Sequence, residues 1–70
     1  MSKVQAILFD KRLFSKNHAL NWIENNHFTL LKPIHETDNF YRARIEPPDR
    51  FSNFITKKIA RGVEIILGFY

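Results

Sequence analysis

The sequence predicts a small α+β domain, with one helix packed on a four- to five-stranded, mostly antiparallel sheet. Three observations predict it. Phe40-Tyr41-Arg42-Ala43-Arg44-Ile45 alternates with period two, as a strand with two unlike faces does. One segment, Lys16 to Asn26, instead carries apolar residues at helical spacing. Two further apolar runs lie near either end of the chain, the C-terminal one rich in β-branched residues. In order these give β-α-β-β-(short helix)-β-β, for which a helix laid on one sheet is the economical packing.

Val4 to Phe9 is apolar on both faces except at Gln5, the pattern of a central strand covered on one side by a helix. A loop follows from Asp10 to Leu13. Ser15 suits a helix N-cap, because its hydroxyl can accept from the free amides of the first turn. Phe14 and Ala19 occupy the positions of a hydrophobic staple around it. Ala19, Leu20, Trp22 and Ile23 fall on an arc roughly 160° wide at 100° per residue. Asn25-Asn26, tolerant of left-handed backbone, is expected to stop the helix.

Thr29 to Ile34 reads as a short strand that Pro33 confines to an edge or a bulge. Glu36-Thr37-Asp38-Asn39 is turn chemistry, since Asp and Asn bond their own backbone. Phe40 to Ile45 is then the return strand of an antiparallel hairpin. Pro47-Pro48 ends it, and Pro48 or Asp49 can open a short helical turn with Phe51, Phe54 and Ile55 at i, i+3 and i+4. Ile55 to Ala60 fits either an extension of that turn or a strand with Ile55, Lys57 and Ile59 on one face; strand is favoured. Arg61-Gly62 marks a turn before a strand at Val63–Phe69. The expected core is Ile7, Phe9, Leu20, Trp22, Ile23, Tyr41, Ile65 and Leu67.

Seventy residues make one domain. A chain this short buries only about 60% of its unfolded surface. Having no cysteine, it must find stability in apolar density, and seven Phe, two Tyr and one Trp supply it. The lack of cysteine also excludes thiol catalysis, iron–sulfur ligation and cysteine-based zinc sites. No apolar run near the N-terminus is long enough for a secretory signal or a membrane span. An intracellular setting, with no membrane contact, is therefore expected.

Candidate chemistry is sparse. His18, His27 and His35 form no i, i+4 pair and no metal-binding frame, so solvated histidines are expected and metal is rejected. Glu36, Asp38 and Asp49 are accounted for by turn and cap roles, and Ser2, Ser15 and Ser52 have no readable His–Asp partnership. The chain holds only two glycines, Gly62 and Gly68, so it has no glycine-rich phosphate loop and no cofactor is expected. An enzyme is not expected.

Charge points elsewhere. Eleven Lys and Arg oppose seven acids, for a net charge of +4. On the alternating strand, Tyr41, Ala43 and Ile45 share a core face, whereas Phe40, Arg42 and Arg44 share the other. Arginine forks match phosphate geometry, and an exposed aromatic ring can stack on an unpaired base. Lys57, Lys58 and Arg61 would enlarge the patch if they lie nearby. The expected function is non-enzymatic binding of a polyanion, nucleic acid before others, through Phe40, Arg42, Arg44, Lys57, Lys58 and Arg61. The ordinary alternative is a solvated sheet face whose arginine stems cover Phe40. A third option is a protein-interaction module that docks an acidic protein surface or pairs an edge strand into a homodimer.

Val4-Gln5 with Leu8-Phe9, Ala19-x-x-Trp22, Glu36-Thr37-x-Asn39-Phe40-Tyr41-Arg42-x-Arg44, Phe54-x-Thr56 and Gly62-Val63-x-Ile65 together resemble a short, functionally uncharacterised module of bacteriophages and large DNA viruses. The resemblance spans nearly the whole chain. In phages that module is associated with head-morphogenesis proteins, so the resemblance implies a viral protein acting in the host cell or the virion. It also implies a strand at Ile55–Ala60. The chain departs from the module at His35, where Asp is usual, at Ala43, where an aromatic is usual, and at Ile45, where Gln is usual. Without that Gln, phosphate contact is favoured over reading of base edges.

Overall fold

The computed structural model describes Ser2–Tyr70; Met1, the first residue of the N-terminal segment considered above, lies outside the described residues. It is an α+β fold with the expected element order. β1 (Ser2–Asp10), α1 (Lys16–Asn25), β2 (His35–Glu36), β3 (Phe40–Arg44), β4 (Asn53–Ala60) and β5 (Val63–Phe69) are joined by loops and a 3₁₀ turn at Pro48–Arg50. The strands form one antiparallel sheet in the order β2-β3-β1-β5-β4. β1 lies at its centre, as its two-sided apolar pattern predicts.

The helix closes at both ends by local hydrogen bonds. Ser15 Oγ accepts from the His18 N–H at 3.2 Å. At the other end the His27 N–H donates to Glu24 O and the Phe28 N–H to Ile23 O, each at 3.1 Å, a Schellman closure. The left-handed residue is His27, with φ 62°, and not Asn25 or Asn26. The closure needs its left-handed residue where Ile23 and Phe28 can both reach the core, and that position is His27.

Ile7, Phe9, Ala19, Ile23, Ile34, Ala43 and Val63 form the buried cluster between helix and sheet. Phe9 meets Phe14 and Trp22 edge-on at 5.3 and 5.5 Å, and Trp22 stacks on Phe28 at 6.3 Å. Burying each of the large side chains contributes about 1.5–3 kcal/mol. Tyr41 and Ile45 flank Ala43 on this side, so the inward half of the alternating strand packs as expected. Leu20 does not: it is 36% exposed, because the helix sits on the sheet through Ala19 and Ile23 and Leu20 falls at the rim of the arc. Leu67 is half-buried and stands outside the cluster.

Three other expectations are corrected. Thr29–Ile34 is not a strand. Pro33 lacks a donor, and the segment bends, tied to the sheet by the Leu31 N–H donating to Arg44 O at 2.8 Å. The turn before β3 is organised by Thr37, whose hydroxyl bonds the Phe40 carbonyl and amide at 3.0 and 3.1 Å, and not by Asp38 or Asn39 side chains. Phe51, Phe54 and Ile55 share no helical face, because the 3₁₀ turn stops at Arg50 and the last two lie in β4. Phe51 instead lies over Gly68, where a Cβ would come within 2.3 Å of its ring, and touches Phe54 and Tyr70.

Gln5, the only buried polar residue among those described, sits at a bulge of β1 between Val4 and Ala6. Its side-chain amide donates to Glu46 O at 3.0 Å, and its carbonyl accepts from the Ile45 and Glu46 amides. The bulged residue is thereby tied to the chain that follows β3 by both its backbone carbonyl and its side chain, which leaves its buried side-chain amide satisfied.

Candidate nucleic-acid interface

Strand register decides which cations share a face. Arg42 pairs with Leu8, Leu8 with Glu64, and Glu64 with Lys58. The next row on the same face runs Arg44, Ala6, Ile66, Thr56. Phe40 stands opposite Asp10 at the end of this face. The row of the other face runs Ala43, Ile7, Ile65, Lys57, and its first three members pack with the helix. Phe40, Arg42, Arg44 and Lys58 therefore lie on the open face of the sheet, opposite α1. Lys57 does not. Adjacent strand residues point to opposite sides, so Lys57 lies on the helix side at the sheet's edge, and the six-residue set splits there.

The open face has two flanks. On the β4 flank, Phe40, Arg12, Lys58 and Arg61 border a depression of about 520 Å³, with Asp10 and Glu64 among its walls. Arg61 enters through the tight turn to Gly62, whose φ of 77° a side chain would resist. Arg12 is held by Asp10, with Nη2 donating to Oδ2 at 2.8 Å and the Arg12 backbone N–H to Oδ1 at 2.9 Å. These bonds hold the Asp10 carboxyl down at about 2.

On the β3 flank, Arg42 and Arg44 border a groove of about 370 Å³ with Lys32, Pro33, Ile34 and His35, and no acid lines it. The Arg42 Nε is buried with no hydrogen-bond partner. Lys32 and His35 escape sequence reasoning, because only the bend at Leu31–Pro33 and the His35–Arg42 pairing bring them beside β3.

Three ion pairs occur among the described residues: Lys3–Glu46 at 3.8 Å, and Lys11–Glu36 and Arg12–Asp10 at 2.8 Å each. Lys11 also lowers the Glu36 carboxyl below its ordinary range. Arg42, Arg44, Lys58 and Arg61 belong to none of these pairs, so their charge is not neutralised by direct contact. A third site-bearing feature was not anticipated from the sequence as a unit: the Phe51, Phe54 and Tyr70 rings, which cluster around Gly68 at the far end of the β4–β5 pair.

Among the described residues no group of three or more His, Cys, Asp or Glu could hold a metal ion, and His18, His27 and His35 are all exposed. No helix of the described chain is long and apolar enough to cross a membrane. No protein-family model, curated protein or solved structure matches the chain, so the likeness to the phage and viral module stands on its motif residues alone.

Proposed function

We propose that the chain is a non-enzymatic domain that binds a polyanion, nucleic acid first, across the open sheet face. Arg42, Arg44, Lys58 and Arg61 supply the charge and Phe40 a ring for stacking. One arrangement carries this: the arginines of β3 share a face with Lys58 and have no carboxylate partner, while Asp10, Glu36 and Glu46 are engaged by Arg12, Lys11 and Lys3. Phosphates are the natural partners of uncompensated arginine forks. Following the motif resemblance, the domain acts as a viral protein in the host cell or virion. Titrating labelled single-stranded DNA and RNA against the protein at rising salt tests the proposal. Affinity should fall steeply and log-linearly with salt. A flat response, or no binding at micromolar protein in low salt, would overturn it.

A protein-docking role draws on a different observation. β4 is an edge strand exposed along its whole length, with Ile55 at 55% and Ile59 at 44% exposure. Its free amides and carbonyls could accept a strand from a partner or a second copy. Light scattering across a concentration series reads the homodimeric form directly. A mass that stays monomeric removes self-pairing from this alternative.

A further inference from the structure

We infer that the groove on the β3 flank is a built site for a single phosphate group, the point at which one phosphodiester of a nucleic-acid backbone is seated. The inference rests on the polyanion proposal for the source of the phosphate, though not for the chemistry of the groove. Its lining is unlike the rest of the surface. Lys32, His35, Arg42 and Arg44 contribute four basic side chains, and no carboxylate stands among them. By contrast, the depression on the β4 flank includes Asp10 and Glu64. Arg42 and His35 are directly opposed in the β2–β3 register, a placement in which two basic groups oppose each other at close range.

The Arg42 Nε adds an independent sign. It is buried, donates to nothing, and belongs to a permanently charged group. A buried donor without an acceptor is among the least favourable arrangements a protein keeps, and each such group calls for a reason. An oxyanion in the groove accepting from the terminal guanidinium nitrogens would compensate the charge that Nε keeps buried, and a small shift of the side chain would open Nε to it in the fork geometry that arginine offers to phosphate. The walls are fixed in advance. Leu31 is hydrogen-bonded to Arg44 at 2.8 Å, Ile34 is buried in the core, and Pro33 stiffens the bend between Lys32 and Ile34. A volume of about 370 Å³ leaves room for a phosphate together with part of the nucleotide that carries it.

The arginine Nε–Hε correlations of ¹⁵N-labelled protein test this, titrated with inorganic phosphate and separately with a short oligothymidylate at low salt. The Arg42 signal should shift saturably in both titrations. Arg42→Lys keeps the charge but loses the fork, and should weaken oligothymidylate binding about tenfold. Lys32→Gln, at an exposed position that leaves the fold alone, should weaken it about threefold. Thermal melts of both variants establish folding, and Lys32→Gln carries the test if Arg42→Lys does not fold. Oligothymidylate binding that leaves the Arg42 signal unmoved and is indifferent to both substitutions would overturn the groove and spare the polyanion proposal. A shift with inorganic phosphate and no binding of oligothymidylate would support the groove as a site for free phosphate and overturn the backbone as its source. No response to either probe would overturn both.

Discussion

The two flanks of the open face carry comparable numbers of basic residues but present different fields. On the β3 flank, Arg42, Arg44, Lys32 and His35 stand together with no acid lining their groove. On the β4 flank, Lys58 lies opposite Glu64 in register and Arg12 is held by Asp10, so positive and negative groups alternate. Along the chain the impression is the reverse, because Lys57-Lys58 with Arg61 looks denser than Arg42 and Arg44. Cations two apart on a strand add on one face; cations side by side are divided between faces. The field of a sheet is set by what register places across each row, more than by the count along a strand.

The comparison can be broken by removing each flank in turn. Arg42→Gln with Arg44→Gln should lower oligonucleotide affinity about a hundredfold at low salt, and the logarithmic salt slope should become shallower by roughly 0.7 per lost single-strand contact. The matching pair on the other flank, Lys58→Gln with Arg61→Gln, should cost only about three- to tenfold in the same titration. Equal losses would mean that the alternating acids do not matter. Glu64→Gln sharpens the contrast from the opposite direction. By removing the acid between Leu8 and Lys58 it should tighten binding about two- to threefold, measured by fluorescence anisotropy.

The Asp10–Arg12 pair gives a smaller effect that depends on pH. Its carboxyl lies at about 2 in the folded chain, against 3.8 as an ordinary value. A depressed carboxylate stabilises the fold fully above about pH 4, and that contribution is lost as pH falls through about 2. The difference in thermal midpoint between the wild type and Asp10→Asn should therefore narrow over this window. An unchanged difference would show that the pair does not favour the ionised acid. Lys57→Gln should do least, leaving affinity within about twofold, since its side chain is on the helix side of the sheet.

Period-two alternation made the face of Arg42 and Arg44 legible, because a buried Ala43 between them admits only one orientation. The same rule, applied to Lys57 and Lys58 once a strand is assigned there, separates them. The β3 groove was not legible. Lys32 lies in a stretch whose apolar content resembles a strand, and only the bend around Pro33 turns it toward Arg44. Leu20 shows a limit of helical arcs: an arc of four apolar residues names a side of the helix, but the small Ala19 decides how closely the sheet approaches and which neighbour is left at the rim. His27 takes the left-handed position although two asparagines stand just before it, and the gain is a helix end that brings Phe28 onto Trp22.

The placement of β1 at the centre of the sheet governs the order in which the molecule can be assembled. Its neighbours are β3 and β5, and its pairings reach from Ala6 with Arg44 to Ser2 with Phe69. None of these is local in sequence, so a chain emerging from the ribosome must hold its first strand without partners until β3 has appeared, and with one side open until β5 has. The β4–β5 hairpin and the helix can form from local contacts; the β1–β5 pairing that joins the two halves of the sheet is laid last. Fusions and truncations at the C-terminal side should therefore act on the whole fold, and not on one edge of it.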